Sequence, residues 1–121
     1  KPDVVCINLG TNDTSTQGAD SLLLQQGFQR LYHQVRSHNP DAKIVFLSGT
    51  MMSGEALRAA RQAMDATLSY AHLRGDKEIY RFDFPPQDGT LGYGASYHPS
   101  MQQHEQMASE LTAYLKQLMG W

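Results

Sequence analysis

Apolar residues are distributed along this chain in two distinct patterns. In three short stretches they are nearly continuous and often β-branched: Asp3 to Leu9 (DVVCINL), Lys43 to Ser48 (KIVFLS) and Glu78 to Phe84 (EIYRFDF). Such runs predict strands, and the first two predict strands buried on both faces, as in a parallel sheet covered by helices. Elsewhere the apolar positions recur every three or four residues. Leu24, Phe28, Leu31 and Val35 predict a helix from Ser21 to about His38, capped by Asp20 and stopped at Asn39-Pro40. Leu57, Ala60, Met64, Leu68 and Ala71 predict a second helix from Glu55 to about Leu73, broken at Arg74-Gly75-Asp76. Met107, Leu111, Leu115 and Leu118 predict a third from Met101 to Met119, with Ser100 and Gln103 forming a capping box.

Three strands alternating with three helices predict an α/β fold, a parallel sheet with right-handed crossovers. Three buried strands alone leave an apolar sheet edge, so the architecture reads as partial. A preceding segment or a second copy is expected to cover that edge. The 121 residues suffice for one domain. The chain opens on Lys1 and enters its first strand at once, which suggests a piece cut from a longer protein.

Composition narrows the function. A net charge of -2 with both signs scattered points to neither nucleic acid nor an anionic membrane surface. No apolar run approaches the ~20 residues of a membrane span. Cys6, the single cysteine, is expected as a small buried side chain. His33, His38, His72, His98 and His104 show no metal-ligand spacing backed by carboxylates or cysteines, so neither metal nor cofactor is expected.

Ligands of open parallel sheets bind beyond the carboxyl ends of the strands. The segments there are Gly10-Thr11-Asn12-Asp13, then Ser48 through Gly54, then the Gly- and Pro-rich stretch Pro85 to Pro99. Asn12 and His98 are thereby brought to one edge. Each segment alone also reads as an ordinary turn. Met51 and Met52 read as packing, and Trp121 as an anchor at the end of the last helix.

A strand ending in Gly10-Thr11-Asn12-Asp13 resembles the third conserved block of SGNH (GDSL-type) hydrolases, and Tyr97-His98-Pro99-Ser100 resembles their fifth. The fuller stretch from Leu91 to Ser100 is most similar to carbohydrate esterase family two, whose members deacetylate plant polysaccharides. The resemblance implies a three-layer αβα, flavodoxin-like fold, with residues 1–121 as the C-terminal portion of one SGNH domain. It implies Asn12 as an oxyanion donor, Asp13 as support for its turn, and His98 as the general base. It also implies an acetylated carbohydrate substrate and a secreted or periplasmic parent protein. Tyr93 and Tyr97 are candidates to stack on a sugar ring.

Two departures from the family pattern stand out. No Gly-Asp-Ser-like block precedes the first strand, so the nucleophile is expected outside this chain; Ser48 and Ser53 sit in no recognisable nucleophile motif. Many SGNH enzymes carry an aspartate three residues before the histidine, and some relatives an acid two before. Here those positions are Ala95 and Ser96. A Ser–His dyad oriented by Ser96 or a backbone carbonyl is the favoured expectation, with Asp88 the remoter carboxylate. A lipase of the same superfamily and a non-catalytic binding module stay open as alternatives.

Overall fold

The computed structural model describes residues 1–8, 21–49, 54–85, 90–94 and 98–121. Within them the order is β1 (Val4–Ile7), α1 (Ser21–His38), β2 (Lys43–Ser48), α2 (Gly54–Leu73), β3 (Ile79–Asp83) and α3 (Met101–Met119). The strands form one parallel sheet in the order β1-β2-β3. The α/β class, the strand count and the three long helices thus match the expectation from sequence. The leading strand is shorter than expected, and the cap expected at Asp20 lies outside the described residues.

The pleat divides each strand between two cores. In register, Val5 lies beside Ile44 and Ile44 beside Ile79, and Ile7 lies beside Phe46. These side chains form one apolar cluster with Leu24, Phe28 and Tyr32 of α1 and Leu57, Ala60 and Met64 of α2. Phe28 and Phe46 meet with ring centroids 5.4 Å apart. On the other face Val45, Leu47 and Phe84 are buried beneath α3, whose Met107, Leu111, Tyr114 and Leu118 pack there. Tyr114 takes the place expected for Leu115 and stacks on Phe82 at 4.6 Å. Helices on both faces make this a three-layer arrangement.

Cys6 corrects the expectation of a strand buried on both faces. It is exposed, although Val45, its neighbour in register, is wholly buried. The reason is positional. β2 is the central strand and, among the described residues, β1 pairs with β2 alone, while the α3 cluster takes in Val4 but not Cys6. The residual desolvation there raises the thiol pKa above its ordinary value.

The edge at the amino ends of the strands is tied by one arginine. Arg36 makes an ion pair with Asp76 at 2.9 Å and donates to the carbonyls of Asn39, Ala42 and Glu78. It thereby joins the α1–β2 turn to the α2–β3 turn. The Tyr32 hydroxyl donates to the same carboxylate at 2.6 Å. Burial, then the Asp76 hydrogen bond, pushes the Tyr32 pKa up to about 12. Partial burial opposes ionisation of Asp76. Hydrogen bonds from Tyr32, the Glu78 amide and Arg36 outweigh it, so the carboxyl sits below its usual range.

A depressed carboxyl contributes stability above its unfolded pKa and loses it as pH falls through the folded value. A raised phenol contributes below its unfolded pKa and loses it as pH climbs through about 12. Arg36→Met is therefore expected to cost about 2–4 kcal/mol at neutral pH, since it strands a half-buried carboxylate and several carbonyls. Asp76→Asn should cost less, with the deficit shrinking as pH drops below about 4. Urea unfolding of both variants across pH checks this. A deficit for Asp76→Asn that is constant from neutral to acid pH counts against it.

Candidate active site

Because the sheet is parallel, Ile7, Ser48 and Asp83 end their strands at the same edge. The ladder extends one step further, with the Phe84 amide donating to the Ser48 carbonyl at 3.2 Å. His98 follows β3 in the sequence; it is exposed and stands two residues ahead of the N-cap of α3. Ser100 is that cap: its hydroxyl accepts from the Gln103 amide at 3.1 Å. Half of the expected capping box is therefore formed as read, and Gln103 is the buried residue of this helix.

The segment before the helix folds back on itself. Tyr93 and Pro99 form an isolated antiparallel bridge. The Gly94 amide donates to the His98 carbonyl at 2.7 Å, and the Ser100 hydroxyl donates to the Leu91 carbonyl at 2.7 Å. Gly92 makes the turn with φ of +77°, a left-handed conformation that favours glycine. Gly94 is favoured for another reason: a Cβ there would lie 3.0 Å from the Pro99 carbonyl oxygen, which would have to give way by a few tenths of an ångström.

Under this edge lies a polar cluster that the sequence did not reveal. Ser48 is fully buried and donates to Asp83 at 2.7 Å. Asp83 is also held by Arg81 at 3.0 Å and Arg61 at 3.5 Å. Arg81 reaches Asp65 at 2.7 Å as well. The available signal was the alternation within β3, where Arg81 and Asp83 fall on the face that Ile79 shares with the larger core. Ser48, which the sequence placed near the site edge, is thus a structural hydroxyl with its proton committed.

An open cleft of about 590 Å³ runs along α2, lined by Leu57, Arg58, Arg61, Gln62, Asp65 and Arg81. Neither His98 nor Tyr93 lines it, and each of its arginines faces a carboxylate. It does not mark an acyl-transfer site. Among the described residues, no group of three or more His, Cys, Asp or Glu could hold a metal ion.

Of the residues singled out from sequence, His98 and Tyr93 are described, and both are exposed on the same folded-back segment. Asn12, Asp13, Asp88, Ser96 and Tyr97 lie outside the described residues, as do Met51, Met52 and Ser53. The expected convergence of Asn12 and His98 lies outside them for the same reason.

Comparisons with known proteins follow the fold. Residues 1–109 match the model of the GDSL-like lipase/acylhydrolase family. The chain is 41% identical over 120 residues to the cellulase/esterase CelE of Acetivibrio thermocellus, covering 99% of this chain and 15% of that protein. It is 27% identical to the acetylxylan esterase/glucomannan deacetylase of Cellvibrio japonicus, covering 32% of it. The chain thus spans about a third or less of the curated relatives it matches. Among solved structures, a family two carbohydrate esterase from Clostridium thermocellum in complex with cellohexaose superposes with a TM-score of 0.94. That match is 41% identical and covers 99% of this chain and 37% of the other. The family two esterase from Cellvibrio japonicus superposes at 0.86 with 27% identity, covering 99% of this chain and 34% of that one.

Proposed function

Because the chain belongs to the GDSL-like lipase/acylhydrolase family, we propose that it is the histidine-bearing portion of a carbohydrate esterase that removes acetyl groups from plant polysaccharide. The observation that carries this reading is the 41% identity to a cellulase/esterase over nearly the whole chain. It is joined by the place of His98 two residues ahead of Ser100, the cap of the helix that follows β3.

In this reading a serine elsewhere in the intact protein is the nucleophile. His98 takes its proton as the oxygen attacks the acetyl carbonyl. The carbonyl electron pair moves onto oxygen, where the Asn12 amide donates to it. Collapse expels the sugar oxygen, which the His98 imidazolium protonates, and a water molecule then releases acetate by the same path. Asp13 supports the Asn12 turn. Tyr93 and Tyr97 contact the sugar. With Ala95 and Ser96 where relatives of the superfamily carry acids, Ser96 or a backbone carbonyl orients the ring and Asp88 does not. A secreted or periplasmic location accords with a polysaccharide substrate.

The test is acetate release from acetylated xylan or glucomannan by the intact protein, set against hydrolysis of long-chain esters. Preference for long acyl chains would replace this reading with a lipase. The isolated chain is expected to be slower by about 10⁶-fold, the usual scale for a missing catalytic serine. Sizeable activity of residues 1–121 alone, abolished by His98→Ala, would mean that the nucleophile lies within them. Asp88→Asn in the intact protein should change turnover by less than about threefold; a ~10⁴-fold loss is the signature of a triad carboxylate and would end the dyad reading.

We also propose that a segment outside residues 1–121, or a second copy, covers the free side of β1. Exposed Cys6 beside buried Val45 supports this. Its thiol should react with a disulfide reagent at least about tenfold more slowly in the intact protein than in the isolated chain. Equal rates would show that this face stays open to solvent.

A further inference from the structure

Among the described residues none bonds the His98 imidazole. If His98 is the general base, as proposed above, the placement of its ring depends on the placement of its backbone as well as on the group that orients it. Two hydrogen bonds bracket that backbone. The Gly94 amide holds the His98 carbonyl at 2.7 Å, and the Ser100 hydroxyl holds the Leu91 carbonyl at 2.7 Å. Between them Tyr93 and Pro99 pair as antiparallel strands do. Residues 91–94 are thereby laid against residues 98–100.

Ser100 serves two tasks with one oxygen. A helix cap requires only an acceptor for the Gln103 amide. Its proton is directed instead to Leu91, nine residues back across the loop. From these contacts we infer that Ser100, together with Gly94, is a positioning residue for catalysis: it locks the His98 backbone to the first turn of α3. The base is therefore referenced to a helix of 19 residues rather than to a loose connection. A shift of about 1 Å in a reacting group can cost ~10²-fold in rate, so the clasp governs turnover.

The donor and acceptor tasks separate cleanly by mutation. Aspartate caps helices as well as serine does, but an ionised carboxylate cannot donate to the Leu91 carbonyl. Threonine can do both. In the intact protein, Ser100→Asp is expected to keep its melting temperature within a few degrees and its KM within about threefold. Its kcat should fall about 10–100-fold. Ser100→Thr should restore kcat to within about threefold. Gly94→Ala should lower kcat likewise, because its Cβ would press on the Pro99 carbonyl 3.0 Å away. Exchange of the Gly94 amide with solvent should accelerate at least tenfold in Ser100→Asp and not in Ser100→Thr.

His98→Ala is measured alongside on an acetylated sugar. If it retains turnover, the functional reading fails and this inference fails with it. If it is inactive while Ser100→Asp keeps wild-type kcat, the functional reading stands and the positioning role of Ser100 is refuted. Should Ser100→Asp not fold, a wild-type kcat for Gly94→Ala refutes it equally.

Discussion

Replacing His98 with alanine in the intact protein is expected to lower turnover of an acetylated sugar by about 10⁴–10⁶-fold, with KM within about threefold. The size follows from the two proton transfers assigned to this one group. Without the imidazole the serine hydroxyl must attack unassisted, and the departing sugar oxygen leaves unprotonated. Both costs fall on the transition state and neither on binding, so the loss belongs in kcat. His98 is exposed in this chain, so its removal leaves no cavity within residues 1–121. An unchanged melting temperature would separate the chemical effect from a folding defect. A loss smaller than about tenfold would transfer the base role to another group. Two of the remaining histidines are poor substitutes. His33 bonds the Tyr70 hydroxyl on the outer side of the α1–α2 pair, and His72 bonds the Ile79 carbonyl at the opposite edge of the sheet.

The elements most legible in the sequence were those whose pattern is set locally. β2 is central and both of its faces are covered, so Ile44 through Leu47 read as an unbroken apolar run and are all buried. The end of α1 and the start of α3 carry chemical punctuation, Asn39-Pro40 and Ser100, and the observed bounds follow it; Gly120, which closes α3 in a left-handed conformation, was not read from the sequence. Residues that depend on long-range partners were missed. Tyr32 and Tyr114 are core members whose polar tips and spacing concealed them; only the tertiary fold supplies Asp76 for one and Phe82 for the other. Cys6 looked buried because its neighbours in sequence are apolar. Its exposure follows from the place of β1 at the side of the three strands, which no local pattern encodes.

The site divides in the same way. His98 was visible from its place before a capped helix and from its family block. The double use of the Ser100 oxygen was not, since the Leu91 carbonyl becomes its partner only once Tyr93 and Pro99 have met. The cluster of Ser48, Asp83, Arg61 and Arg81 is likewise a product of register, for Ser48 and Asp83 are direct partners across β2 and β3. Its consequence for the site is mechanical. It binds the last residues of two strands together at the edge from which the His98 segment departs.

Asn12→Ala is the second large effect, expected to lower kcat by about 10²–10³-fold while leaving KM nearly unchanged. In the ground state the acetyl carbonyl oxygen carries only a partial charge, and water solvates it nearly as well as an amide does. As the tetrahedral intermediate forms, that oxygen gains a full negative charge, and a fixed donor then gains far more than a neutral contact would. The energy appears only at the transition state and so acts on kcat. Asn12→Asp is the sharper variant, because it puts an anion where a donor is required. Its loss should exceed that of alanine at neutral pH and shrink as acid protonates the new carboxyl and restores a donor. Measuring kcat and KM of both variants on an acetylated sugar, with the wild type across the same pH range, tests the assignment. Should Asn12→Ala raise KM and spare kcat, Asn12 binds the substrate in its ground state, and the oxyanion donor must be sought among other groups at the carboxyl edge.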